Sequence, residues 1–157
     1  MNSISFEEIT EKTLYIAFEI VNSNQAYNQL EHGKERRTLE DVKEEFINDK
    51  TKSQFIKLDD TYIGIMDYLL MNETDQCPWL GLMMIHGDYQ GFGFGTQAYL
   101  RFEKEMVEKG LSVIRIGVLK ENHNARRFWE SIGFEYFKTA LSKNSIEVDC
   151  FEKKLMK

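Results

Sequence analysis

The stretch GDYQGFGFGT, residues 87–96, holds four of the chain's ten glycines. An apolar run, WLGLMMIH (79–86), precedes it, and helical spacing follows it in Ala98, Leu100, Phe102, Met106 and Val107. A strand that ends in a glycine-rich turn and passes into a helix gathers free backbone N–H groups and the positive end of a helix dipole. Glycine lets that backbone approach a ligand closely or take positive φ. Such a turn binds an anion, a pyrophosphate above all, without any basic side chain. A Walker loop does not fit, because Gly95 is followed by Thr96 and Gln97 rather than by lysine. A dinucleotide fingerprint fits no better: Gly91, Gly93 and Gly95 have the wrong last spacing and lie mid-chain.

A second stretch, NHNARRFWESIGF (122–134), follows the apolar strand SVIRIGVL (112–119). It opens with Asn122, carries Ala125, Phe128 and Trp129 on a helix, and leaves through Gly133 and Phe134 into another strand. Taken in order, YQGFGFG and N..A..FW..IGF resemble the GNAT family of N-acetyltransferases, most strongly over residues 79–134. The resemblance implies acetyl-CoA, used as acyl donor and bound in a V-shaped opening between two parting parallel strands. Gln90, Gly93 and Gly95 match the family's Gln/Arg-x-x-Gly-x-Gly/Ala pattern. The backbone of Gly91, Phe92, Gly93, Phe94, Gly95 and Thr96 then matches the pyrophosphate cradle. Met83, Met84 and Ile85 match the strand end whose backbone pairs with pantetheine, and their side chains read as core. Asn122 matches a contact to the cofactor arm. Trp129 falls where many members carry a tyrosine, and is expected to pack against that arm.

Two departures bear on the chemistry. Many members use that tyrosine to protonate the departing thiolate, whereas an indole N–H only donates and is no acid near neutrality. A thiol of pKa ~8.5 can leave as the thiolate without help. Gly117 stands where N-terminal peptide acetyltransferases of the family often place a glutamate base. Both departures point away from a peptide N-terminus and toward a small amine, attacked directly on the thioester in a ternary complex. A non-catalytic acyl-CoA sensor and an acetyltransferase of protein or peptide amines are the alternatives. His86, Asp67, Glu73 and Glu31 are candidate bases, none of them singled out, so the catalytic residues stay unassigned. No metal is implied.

The elements that must position these residues follow from periodicity. Ser3–Glu8 reads as an edge strand, 11–33 as helical up to Gly33, and 38–47 as a helix with Thr38 as N-cap and Asp41 three residues on. Residues 54–58 and 62–71 read as a hairpin, 97–109 as a helix closed by Gly110, and 134–141 and 146–155 as two closing strands about SKNS. The expectation is a single domain over 1–157: an α/β (α+β) fold with a mixed, mostly antiparallel central sheet of six to seven strands flanked by helices. A formal charge of −6 argues against nucleic acid. No apolar run suits a membrane span, and the N-terminus does not read as a signal peptide. Cys77 and Cys150 read as reduced thiols of a cytoplasmic protein. The closing strands, rich in β-forming residues, suggest a homodimer through a sheet edge.

Overall fold

The computed structural model describes residues 3–142 and 145–155. Among them, seven strands form one sheet: β1 (Ile4–Glu8), β2 (Lys52–Leu58), β3 (Thr61–Leu69), β4 (Trp79–Ile85), β5 (Val113–Leu119), β6 (Glu135–Leu141) and β7 (Glu147–Lys154). Their order across the sheet is β1-β2-β3-β4-β5-β7-β6. Every neighbouring pair is antiparallel except β4 with β5. Helices α1 (Leu14–Asn22), α2 (Gln25–His32) and α3 (Leu39–Phe46) belong to one face, α4 (Phe94–Glu108) and α5 (His123–Ser131) to the other. This is the mixed, helix-flanked sheet expected from the strand and helix periods.

Local boundaries differ from the periodic reading in instructive places. The region expected to be helical from 11 to 33 is a 3-10 turn (Glu11–Thr13) followed by two helices that break at Ser23 and Asn24. The Ser23 hydroxyl donates to the Ile20 carbonyl (2.6 Å) and the Asn24 amide reaches the same oxygen (3.2 Å), so side chains take over a carbonyl at the helix end. Helix α2 closes as expected at Gly33, whose φ of +75° suits the left-handed cap. Thr38 and Asp41 form a reciprocal capping box at the start of α3. Helix α4 starts at Phe94 rather than Gln97, and β3 stops at Leu69 rather than Met71. The expected SKNS turn lies partly outside the described residues.

The sheet divides two cores. Tyr99, Phe102 and Met106 of α4 with Trp129 of α5 pack on Met66, Tyr68, Leu80, Ile116 and Phe151. On the opposite face Leu14, Ala17, Ile20 and Val21 of α1 with Val42 and Phe46 of α3 pack on Phe55, Ile65 and Met84. Each such large apolar side chain contributes about 1.5–3 kcal/mol on burial.

Strand β4 carries the irregularity that matters for the site. Tyr68 pairs with Leu80 and Asp67 with Leu82, so Gly81 is an extra residue in β4. A bulge resets the alternation of side chains and bends its strand. Leu80 accordingly joins the α4–α5 core, while Leu82, two positions on, packs toward α1 and α3. The parallel ladder with β5 ends here, at Trp79–Arg115 and Leu80–Ile116. Strand β3, in contrast, stays paired with β4 as far as Ile85. Gly64 permits that contact, since a Cβ there would lie 2.4 Å from the Met84 carbonyl oxygen.

Candidate functional site

Beyond Leu80 and Ile116 the two strands part, and a cavity of about 920 Å³ opens between them. That volume lies at the upper end of the range for small-ligand clefts. Leu80–Ile85 and Ile116–Leu119 line it from the strands, with Trp129 of α5 and Tyr27 of α2 among the other walls. Backbone groups alternate in direction along a strand. The His86 N–H donates to Ile63 of β3, whereas the Ile85 carbonyl faces away and accepts from side chains. The same alternation turns the backbone of Met83 into the opening.

The glycine-rich turn follows β4 directly; its Gln90 lines the cavity, whereas Gly91, Phe92, Gly93, Phe94, Gly95 and Thr96 do not. Gly91 and Gly93 hold φ of +86° and +84°, a region that favours glycine. Nothing lies within 4 Å of where a Cβ would stand on either, so the space before this backbone is clear. Gly93 is the N-cap of α4, whose first-turn N–H groups have no partner inside the helix. Gly95 serves packing instead, its missing Cβ facing the Phe128 ring at 3.6 Å. Phe92 is exposed and Phe94 turns into the core. Gln90 points back toward β4: its amide donates to the Ile85 carbonyl (2.8 Å) and to the Asn24 side chain (2.6 Å). Asn24 also donates to the Ile85 carbonyl (3.2 Å), and the Ser23 hydroxyl accepts from the Gly87 N–H (3.0 Å). The break between α1 and α2 is thereby fastened to the strand end and the turn together.

Across the opening, Asn122 caps α5 by accepting from the Ala125 N–H (3.2 Å), and it lines the cavity. Trp129 is buried among Tyr99, Phe128 and Phe134 and lines the same cavity. The structure thus brings Met83, Met84, Ile85, Gln90, Asn122 and Trp129 onto one cleft, with the glycine turn beside it.

The fold that carries this cleft is shared with known proteins. The family model described as acetyltransferase (GNAT) family matches residues 17–134. The chain belongs to that family. A crystal structure of an acetyltransferase from Thermus thermophilus superposes with a TM-score of 0.82 at 23% identity, covering 98% of this chain and 97% of that one. The ribosomal-protein-S18-alanine N-acetyltransferase of Escherichia coli gives 0.71 at 14%, covering 100% and 96%. The PaiA N-acetyltransferase of Thermoplasma acidophilum, in complex with coenzyme A, gives 0.68 at 18%, covering 97% and 99%. A comparison with curated protein sequences gives no match.

In this acetyltransferase the four candidate bases are separated by the fold. Glu31 of α2 lines the cleft, whereas His86, Asp67 and Glu73 do not. The His86 Nδ1 accepts from the Asp88 N–H (3.0 Å) and its Nε2 lies 3.1 Å from Glu19, so the ring serves the turn and α1. Glu73 sits exposed in the connection between β3 and β4. Asp67 is buried on the α1–α3 face, accepting from the hydroxyls of Ser53 (2.8 Å) and Thr51 (3.2 Å). At Gly117 a Cβ would lie 2.8 Å from Val148 Cγ1, so Val148 occupies the space that a side chain there would need. Periodicity missed Tyr27, Glu121, His123 and Arg127, which also line the cleft. Tyr27 read as part of a helical run, and the other three carry no spacing signal.

Burial raises the Asp67 carboxyl to about 6 from its ordinary 3.8, only partly offset by its two hydroxyl donors. Between those values the folded chain holds a proton that the unfolded chain has lost, so stability falls as pH rises through this window and stays lower above it. The loss amounts to about 3 kcal/mol. Asp67→Asn removes this component. In urea unfolding at pH 4 and pH 7.5, the variant gains on the parent protein at the higher pH. A stability difference between the two proteins that is the same at both pH values contradicts the assignment.

Proposed function

We propose that the chain transfers the acetyl group of acetyl-CoA directly to the amine of a small molecule, both substrates being bound together. The observation that carries this reading is the one-sided pairing of β4. Its backbone at Met83 and Ile85 faces an open gap instead of β5, beside a turn whose backbone is clear to receive a phosphate. An acyl-CoA fits this pair of features, with the thioester arm along β4 and the pyrophosphate at Gly91–Thr96. A neutral amine nitrogen attacks the thioester carbonyl carbon; the C–N bond forms, the C–S bond breaks, and CoA leaves as thiolate. The nitrogen's excess proton passes to water. Backbone N–H at the end of β4 stabilises the oxyanion as it develops.

Trp129 cannot protonate the thiolate, and Gly117 with Val148 leaves no room for a base at that point of β5. Both support a reactive small amine over a peptide N-terminus. The alternative acceptor is a protein amine; the S18-alanine acetyltransferase shares the fold at 14% identity. No helix among the described residues is long and apolar enough to cross a membrane. Acyl-CoA is a cytoplasmic metabolite and the two cysteines are unpaired, which supports work in the cytoplasm.

Release of free thiol from acetyl-CoA with a panel of amines tests the reading. Gly93→Glu sets a side chain on a left-handed backbone, with a negative charge before the cradle. The CoA-induced thermal shift of the parent protein should vanish in this variant while the unliganded fold persists. An unchanged shift rejects the cradle. CoA binding by the parent protein without thiol release for any amine supports the sensor reading instead.

Strand β6 forms one edge of the sheet and exposes Tyr136 and Leu141. We infer that this edge meets its own copy in a homodimer. Light scattering at micromolar concentration should return twice the monomer mass, and a clean monomer rejects the dimer.

A further inference from the structure

Between the end of β4 and the glycine turn stands a short 3-10 turn, Gly87–Tyr89, capped by His86. Its backbone N–H groups are taken up within the protein one after another. That of Gly87 donates to the Ser23 hydroxyl (3.0 Å), that of Asp88 to His86 Nδ1 (3.0 Å) and that of Tyr89 to the His86 carbonyl (2.8 Å). The imidazole thereby stands in for the asparagine or aspartate side chain that accepts the N–H two residues on in an Asx turn. A ring nitrogen that accepts an N–H carries no proton, so these partners assign the proton of the neutral ring to Nε2. Nε2 lies 3.1 Å from Glu19 of α1, and the His86 side chain is only 13% exposed. The ring meets Tyr89 edge to face (6.1 Å between centroids), and Tyr89 in turn packs by Phe94 (6.4 Å), the first residue of α4. One side chain thus joins α1, the turn and, through Tyr89, the start of the helix behind the glycines.

We propose, resting on the assignment of Gly91–Thr96 to the pyrophosphate, that His86 is a positioning residue for that backbone: its neutral Nδ1 holds the turn in the form that receives the ligand. Only the 3-10 turn and Gln90 separate His86 from Gly91, so a change of dihedral in the turn displaces the cradle directly. Ser23 fixes the first N–H of the turn from outside, and the imidazole fixes the second from within. A proton on Nδ1 turns that acceptor into a donor. The Asp88 N–H then loses its partner, and on that side of the ring the acidic group is the Asp88 carboxylate, 3.9 Å away. Reaching it requires the turn to re-form. Among the described residues the charged groups paired with the ring are Glu19 of α1 and Asp88 of the turn itself, with the Tyr89 phenol ring against it. Both carboxylates can pair with an imidazolium, so the ring changes partners rather than losing them. Imidazole is the side chain that ordinarily changes charge between pH 5 and 8. The cradle therefore loosens its hold on phosphate as the medium turns acid.

Two substitutions separate the two ring nitrogens. His86→Asn keeps an acceptor at the Nδ1 position and does not titrate, whereas His86→Gln keeps a polar group at the Nε2 position and loses the first. Calorimetric titration of the full chain with CoA measures the dissociation constant of each. At pH 7.5 His86→Asn should bind within about twofold of the parent protein and His86→Gln about three- to tenfold more weakly, the worth of one hydrogen bond. From pH 7.5 to 5.5 the parent's dissociation constant should rise about threefold or more relative to that of His86→Asn. The phosphate monoester of CoA titrates in the same range, and the ratio of the two proteins at each pH removes its contribution. His86→Gln binding as tightly as the parent, His86→Asn binding as weakly as His86→Gln, or a parent-to-Asn ratio that does not change with pH overturns the positioning role. Should His86→Gln not fold, the ratio decides alone. A parent protein that fails to bind CoA overturns the cradle assignment beneath the proposal.

Discussion

Strand β4 keeps to β5 for two residue pairs only, because Gly81 enters β4 as an extra residue directly after Leu80. A continued ladder would have spent the backbone of Met83 and Ile85 on β5 and left nothing for a ligand to pair with. Opening a sheet in this way costs free energy, since strand N–H and C=O groups need partners. The chain offsets part of that cost with side chains. Gln90 and Asn24 both donate to the Ile85 carbonyl, and past the bulge the ladder with β3 resumes from Leu82 to Ile85 and holds β4 on its other side. The gap therefore stays open without an orphaned carbonyl at its end.

The same residue sets which side chains face which layer. Past the bulge, Leu82 and Met84 turn toward α1 and α3, while Met83 and Ile85 turn toward α4 and α5. That parity anchors α1 on the far face, and the Ser23–Asn24 break then fastens both the strand end and the glycine turn. Helix α2 leaves this junction along the gap, which brings Tyr27 into the cleft. The end of β4, the glycine turn and the start of α2 are consequently positioned by one short network around Ile85.

Much of this was legible in the residues. The hairpin of β2 and β3, the capping box at Thr38, the cap at Gly33 and the strand–turn–helix passage through Gly91 and Gly93 all rest on local chemistry that short windows contain. The bulge was harder to read. A glycine inside a strand is a known sign of one, but WLGLMMI is apolar on both faces, so the change of parity leaves no polar mark. The break at Ser23–Asn24 was hidden because serine and asparagine are tolerated within a helical run, and only tertiary bonds to Gly87, Ile85 and Gln90 show their use. Tyr27 read only as part of a helical run; the cleft it lines exists only after β4 and β5 part. His86 and Asp67 carried suggestive chemistry, and the fold employs both elsewhere.

Residue-resolved amide exchange along β4, with and without saturating acetyl-CoA, tests most directly whether the opened strand is the binding edge. In the free protein the Met83 and Ile85 amides, which face the gap, should exchange far faster than that of Met84, which faces β3. Acetyl-CoA should slow Met83 and Ile85 and leave Met84 as it was. Amides at 83 and 85 that are already protected in the free protein, or that do not respond to acetyl-CoA, would contradict the account.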